Sequence, residues 1–398
     1  MKEPSPRLVQ VSAAALAGLL FVSVLTASAG GRWAASLVET GAFALALAWL
    51  ARPVRLRWSP ALIPLVSTAL WGLVQLAAQR AVYRLETWNG VLGWLANCCV
   101  LFVSLQVLSD EGTRRRWLRA LLHFGFAISV ISVVQLFTSQ GRIFWVFPSG
   151  YDRDVLGPFV YRNHYAAFIE LVLPIAVAKA FEPRGALRHG VMAGVLFASV
   201  VAAASRSGVV LAGLEIAVVS LLAARRSRLP RRTGGIALAA MACSAIAFTV
   251  VVGAGTLWSR FETEPYGIRR ELLRSSLAMI GERPGAGFGL GTWPVAYPAY
   301  ATVDAGRFMN RAHNDWAEWA AEGGLPFVLF LLAVALGTLG PAWRSVWGLG
   351  VPAVFLHALV DYPFRKPALA AWVFALAGAA IAAGREQRYP ARRLVSAG

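Results

Sequence analysis

Residues 187–224 read LRHGVMAGVLFASVVAAASRSGVVLAGLEIAVVSLLAA, and they settle what kind of fold the chain has. Two apolar runs, 187–204 and 209–224, are joined only by Ser205-Arg206-Ser207-Gly208. An apolar helix of about 20 residues is enough to cross the hydrocarbon core of a bilayer. Two such runs with a compact polar turn between them predict a tight membrane hairpin. Arg206 sits in a turn too short to carry it far into solvent, and an ionisable residue held there marks a candidate functional site. The plainer alternative is an arginine that snorkels to the interface.

The same pattern fills the chain. Of 398 residues, 58% are hydrophobic and 15% charged, with a mean hydropathy of +0.59; a soluble domain carries roughly a quarter charged residues. Spans are expected near 8–29, 33–51, 60–79, 88–109, 120–139, 164–181, 187–204, 209–224, 235–257, 324–341, 349–364 and 367–384. The fold class is therefore an all-α polytopic membrane protein of about twelve transmembrane helices. It forms a single transmembrane domain over 1–398, with one large loop at 258–323 between the ninth and tenth spans. The N-terminus imitates a secretory signal, with Lys2, Arg7, an apolar stretch and then Ala27-Ser28-Ala29; it is read as the first transmembrane helix. Cys98, Cys99 and Cys243 lie in apolar stretches without ligand spacing and read as packing residues.

The formal charge of +18 comes almost wholly from arginine. Nucleic-acid binding is one reading of such basicity. Short clusters between apolar runs fit the positive-inside rule better. Arg52/Arg55/Arg57, Arg114/Arg115/Arg116/Arg119 and Arg225/Arg226/Arg228/Arg231/Arg232 fall on one side, with both termini and the Arg184/Arg188 turn. That side is expected to be cytoplasmic. The opposite side holds 140–163 and the loop at 258–323. Within the loop, apolar residues between Ile268 and Ile280 recur near helical spacing and predict an amphipathic helix at the interface. Pro284-Gly285-Ala286-Gly287-Phe288-Gly289-Leu290-Gly291 ends it. This run lacks the Lys-Ser/Thr ending of a nucleotide loop and reads as a tight turn returning the chain to the bilayer.

Short polar motifs carry the chemistry. Arg162-Asn163-His164 opens the sixth span, where unpaired N–H groups and the helix dipole favour an anion and a guanidinium fork suits phosphate. Alternatively Arg162 is an interfacial anchor beside Tyr161 and Tyr165. In His313-Asn314-Asp315, Asn314 or Asp315 would cap a helix. A cap does not account for His313, whose imidazole is the usual general acid–base group near neutral pH. Asp361, in Asp361-Tyr362-Pro363 after His357, either binds substrate or pairs with Arg365 or Lys366. Cations converging on one face of a membrane bundle point to an anionic substrate, a lipid diphosphate above all.

In succession these motifs resemble the O-antigen ligase and O-antigen polymerase superfamily. The carrying residues are Arg162-Asn163-His164-Tyr165-Ala166, Ser205-Arg206-Ser207-Gly208, Arg283-Pro284-Gly285 with Gly287-Phe288-Gly289, His313-Asn314-Asp315 with Glu322-Gly323-Gly324-Leu325, and His357-Ala358-Leu359-Val360-Asp361-Tyr362-Pro363. They cover roughly residues 155–380 in order. The resemblance implies a multi-pass glycosyltransferase of the GT-C type in the bacterial inner membrane, with its active site facing the periplasm. Such an enzyme moves a glycan from undecaprenyl diphosphate to a sugar hydroxyl, with inversion and with neither metal nor cofactor. Its partners are the undecaprenyl-diphosphate-linked donor, a lipid-linked glycan or lipid A core acceptor and membrane lipid, not nucleic acid.

Carried over residue by residue, the resemblance makes Arg206 and His313 catalytic, with Arg206 on the diphosphate. The second diphosphate arginine is Arg269, Arg270 or Arg274, and Arg162 adds to the same charge. Asn163, His164, Asn314, Asp315 and Asp361 are candidate substrate contacts. Asp361-Tyr362-Pro363-Phe364 leans toward polymerase rather than ligase. Metal-dependent relatives that use polyprenyl-monophosphate sugars need acidic residues in the first outside loop, which here is Gly30-Gly31-Arg32. A flippase of lipid-linked glycan is the alternative from another class; it would set its cations along a mid-membrane path on interrupted helices.

Overall fold

The computed structural model describes residues 2–28, 31–150, 155–182, 185–226, 230–252, 255, 267–304, 306 and 308–388. Its first part runs α1 (Pro6–Leu25), α2 (Arg32–Leu50), α3 (Leu62–Ala77), α4 (Arg84–Val107), α5 (Glu111–Thr138), α6 (Arg162–Ala180), α7 (Ala186–Ala202), α8 (Arg206–Arg226) and α9 (Arg231–Val252). After it come α10 (Gly267–Glu282), α11 (Asp315–Arg344), α12 (Gly350–His357) and α13 (Pro367–Arg388). The only strands among the described residues are the two-residue pair Arg142–Ile143 and Phe147–Pro148, an antiparallel hairpin. Among the described residues, eight helices are long and apolar enough to cross a membrane. Chain starts are set locally: Ser5 accepts from Leu8 N before a proline at the first turn of α1, and Asp110 accepts from Thr113 N at the start of α5.

Two helices form the centre. Every residue of α6 from Asn163 to Ala180 is buried except Ala178, and α13 is nearly as enclosed. α6 packs against α5, α7, α8, α12 and α13. The periphery is apolar outward, as at Leu47, Ile63, Leu329 and Val250, which suits a lipid solvent. Close approach of α7 and α9 is made by Gly190 and Gly194, which face Ala237, Ala240, Met241 and Ser244.

Polar connections gather at the two ends. At one end Val82 N–H donates to Phe288 O at 2.9 Å, tying the α3–α4 turn to the segment after α10. At the other, Arg226 donates to Trp343 O at 2.7 Å and Arg344 O at 3.1 Å, and Gln106 pairs with the Arg57 backbone. Arg184, Arg228 and the loop start at 258–266 lie outside the described residues, as does the side chain of Arg231.

Two expected boundaries shift. The tenth span, expected from 324, belongs to a helix that already begins at Asp315, capped by Asn314; the last part of the expected loop is helical. The eleventh, expected over 349–364, is the short α12 followed by a bend and a single 3-10 turn at Pro363–Arg365. Eight residues are too few to cross a bilayer.

α11 is broken at Gly324 (φ 69°, ψ −176°). A break frees backbone groups that must find partners when buried. Ala321 O accepts from Phe288 N at 3.0 Å, and Glu322 O from Gly289 N at 2.9 Å and Gln75 Nε2 at 2.8 Å. Gly323 O accepts from Trp71 Nε1 at 2.7 Å, while Leu325 N donates to Pro284 O at 2.8 Å. The glycine run at 285–291 therefore does more than turn the chain: it clamps the break. At Gly287 (φ +65°) a Cβ would stand 2.3 Å from Glu322 O, so no side chain fits. The predicted amphipathic helix is α10. Its Leu272 and Met279 pack on Phe288, Trp293, Tyr297 and Ala321 in a second small core, while Arg270, Leu273, Arg274 and Leu277 are exposed.

Candidate active site

The α5–α6 segment, the α7–α8 turn, α10, residues 311–315 and the α12–α13 bend meet at one end of the bundle, around Asp361. This carboxylate is fully buried. Its Oδ2 accepts from Asn163 Nδ2 and lies 3.8 Å from Arg269 Nη2. Its Oδ1 accepts from Tyr362 N at 2.9 Å and lies 3.6 Å from His313 Nδ1. Burial alone would push this carboxyl upward. The contact with His313 and the fields of His164, His357 and Arg269 outweigh it and lower the pKa to about 2.

His313 is placed by an uncommon backbone. Its φ is 54°, and Ala204, two residues before Arg206, has φ 53°. A left-handed conformation costs a non-glycine residue about 1–2 kcal/mol, and such strain collects at functional sites. Tyr161 OH lies 3.4 Å from His313 Nδ1 and accepts from Arg269 Nη2 at 2.9 Å. Tyr161 stacks on Tyr362 at 5.7 Å and 18°; His164 and His313 meet Tyr362 edge-on at 4.7 and 4.9 Å. Burial raises both phenols well above the usual tyrosine range, so they act as neutral hydrogen-bonding walls. His313 and Arg269 keep 23% and 25% of their side chains exposed, and the site therefore opens outward.

The α7–α8 turn is sewn to this centre. Ser205 Oγ donates to Asn163 Oδ1 at 2.8 Å and accepts from Gly208 N at 3.2 Å. Arg206 and Arg162 open α8 and α6 and are half-buried. His164 is buried, and its Nε2 has no hydrogen-bond partner among the described residues.

Of the three α10 arginines, Arg269 joins the network, with a further bond from Nη1 to Val360 O at 3.0 Å. Arg270 is exposed, and Arg274 pairs with Glu271 at 2.7 Å. Asn314 accepts from Ala317 N at 3.0 Å as the α11 cap. Asp315 accepts from Phe364 N at 2.9 Å, and its own N–H donates to Asp361 O and Ala358 O; both residues serve as scaffold. Asp361 does not take Arg365 as partner. Arg365 instead reaches Glu318 at 2.9 Å, Asp315 at 3.9 Å, and Glu322.

Sequence reasoning missed that acidic row. Asp315, Glu318 and Glu322 are spaced i, i+3, i+7 and share one helix face, which was the available signal. Arg311 adds a second cation, 3.2 Å from Glu318. Also missed was Glu170, a lone carboxylate in an apolar span. Its Oε1 lies 2.8 Å from His357 Nδ1, and His357 Nε2 lies 3.0 Å from Ser207 Oγ. Among the described residues no cluster of three His, Cys, Asp or Glu side chains is arranged to hold a metal ion.

Residues 191–332 match the family model described as O-antigen ligase. No curated protein matches the chain.

Proposed function

We propose that this chain, whose motifs resemble the O-antigen ligase and polymerase superfamily and whose residues 191–332 match the O-antigen ligase model, transfers a glycan from undecaprenyl diphosphate to a sugar hydroxyl at the periplasmic face of the inner membrane. The observation that carries the reading is the outward-facing pair of His313 and Asp361, 3.6 Å apart, with Arg269 beside it and the Arg206 turn sewn to it through Ser205 and Asn163.

The chemistry follows from charge. As the glycosidic bond breaks, negative charge builds on the diphosphate oxygen, and the guanidinium groups of Arg206 and Arg269 stabilise it, with Arg162 adding to the field. One such preorganised group is typically worth about 3–4 kcal/mol in the transition state. His313 takes the proton of the attacking hydroxyl, and Asp361 orients the imidazole and stabilises imidazolium. Attack from the face opposite the leaving group inverts the anomeric centre. The bend at Asp361-Tyr362-Pro363-Phe364 leans the acceptor toward another lipid-linked glycan rather than lipid A core.

Transport is the weaker reading. α11 is interrupted, as transporter helices are, but its freed carbonyls are bound by Phe288, Gly289, Gln75 and Trp71. Those carbonyls are engaged within the protein, where a transporter's unwound carbonyls would face the substrate path. The test is transfer by purified protein from an undecaprenyl-diphosphate oligosaccharide, with each acceptor offered separately and EDTA present. We expect product with one acceptor, and His313→Ala should lower turnover about 10²–10⁴-fold with donor binding kept. A His313→Ala protein working at the parental rate removes the catalytic reading.

A further inference from the structure

Behind the outer pair lies a second histidine–carboxylate pair that the acceptor chemistry does not use. His357, at the end of α12, and Glu170, inside α6, are both fully buried, with Nδ1 and Oε1 2.8 Å apart. The other imidazole nitrogen, Nε2, lies 3.0 Å from the hydroxyl of half-buried Ser207. Ser207 follows Arg206 on the first turn of α8, where the donor diphosphate sits in our reading. The groups form one line from apolar interior to site: Glu170, His357, Ser207.

We propose that Ser207 hands a proton to the departing diphosphate and that His357 and Glu170 are the positioning residues that supply it. The inference rests on the transferase reading and adds the leaving-group half of the reaction. Burial sets which protons the pair holds at rest, and the charge developing on the diphosphate draws one of them out. An enclosed pair without net charge holds one proton between Nδ1 and Oε1, whichever atom carries it, and a second proton on Nε2. The alternative, neutral imidazole beside bare carboxylate, leaves a net charge in an apolar interior and is disfavoured. Glu170 Oε2 and both carboxylate oxygens of buried Glu215 have no hydrogen-bond partner among the described residues, and Glu215 lies close enough to act on Glu170. With Nε2–H pointing at Ser207 Oγ, the serine's own hydrogen is free to face the substrate.

The step balances. The glycosidic C–O bond breaks with its electron pair left on the diphosphate oxygen. Ser207 Oγ–H passes to that oxygen, Nε2–H passes to Ser207 Oγ, and the shared proton settles on Nδ1 opposite ionised Glu170. The proton lost by the acceptor hydroxyl has gone to His313. Between turnovers the two pairs exchange one proton through water, so the net transfer is from hydroxyl to diphosphate.

The test is the pH profile of turnover for Ser207→Ala, Ser207→Thr and His357→Gln with an undecaprenyl-diphosphate oligosaccharide. Groups acting on His357 are Glu170, Asp361, Arg269 and His164; none of them is altered. Ser207→Ala and His357→Gln should each lose about 10²–10⁴-fold in turnover. Both should also lose the fall in rate at high pH that reports the acid. Donor binding, measured with undecaprenyl diphosphate alone, should persist. Ser207→Thr keeps a hydroxyl and should restore most of the rate together with the alkaline limb. Ser207→Ala at parental turnover overturns the inference. So does a loss equal at every pH and shared by Ser207→Thr, which would mean packing only. A parent that transfers nothing overturns the transferase reading, and this arm with it.

Discussion

Asp361→Asn separates charge from shape at the centre of the site. The amide fills the same space, but its single oxygen can accept from only one of Asn163 and Tyr362, and it cannot hold His313 and Arg269 electrostatically. The Asp361 carboxyl is lowered from 3.8 to about 2 in the folded protein. By linkage that shift corresponds to about 2 kcal/mol of stability. The sign is that of a depressed carboxylate: the contribution is fully present above pH 4, where the unfolded chain is also ionised, and vanishes as pH falls through about 2. Thermal unfolding in detergent across acid pH, parent against variant, reads it directly. The variant should melt lower at neutral pH, and the two curves should converge as the buffer approaches pH 2. Turnover should fall as well, by about 10²–10⁴-fold, because the imidazole loses its orienting partner. Melting curves that stay parallel from neutral to acid pH would refute the assignment of His313 and Arg269 as the groups holding Asp361 ionised.

Arg206→Lys should be nearly as damaging as Arg206→Ala in donor binding and turnover, because a planar fork matters as well as charge; lysine at parental activity sinks that role. Arg365→Ala strands the buried carboxylates of Asp315, Glu318 and Glu322 and should cost about 3–5 kcal/mol, seen as a large drop in Tm; an unchanged Tm would mean Arg311 alone suffices. For sidedness, exposed Ala301 in the 258–323 loop is the reporter. In intact cells an impermeant thiol reagent should label Ala301→Cys and spare Arg55→Cys, and the reverse pattern inverts the topology.

The membrane class was legible because lipid forces it: long apolar runs with clustered arginines admit few other folds. Individual boundaries were less so. α6 begins at Arg162, two residues before the expected start at 164, because its polar first turn with Arg162 and Asn163 lowers the local hydropathy. The cap at Asn314 was legible, but that its helix runs on into the tenth span was not, because Asp315, Glu318 and Glu322 make the segment look solvated when Arg365 and Arg311 allow it to be buried. Within the site, His313, Asp361, Asn163 and Arg206 stand out by residue type in their setting. Which α10 arginine joins them did not, since neighbouring residues on a helix point different ways and only the packing of α10 sends Arg269 inward. Tyr161 read as an interfacial residue beside Arg162, and only its stacking on Tyr362 reveals the two as walls.

The break at Gly324 leaves the protein with a mechanical joint. The outer part of α11 is bonded sideways to Trp71, Gln75 and the 284–289 strand of backbone, while the part beyond Leu325 runs on as a rod exposed to lipid at Leu325, Leu329, Leu332 and Leu336. Compression or tilt of the rod, as acyl chains shorten or lengthen, is taken up where the helical ladder is already cut. On this reading the proposed site rides on the sideways bonds and is insulated from bilayer thickness. Turnover in nanodiscs should accordingly change little between short-chain and long-chain lipids. Gln75→Ala, which removes one of those lateral bonds, should make the rate follow the lipid; a parent as lipid-sensitive as that variant would show that the joint transmits strain after all.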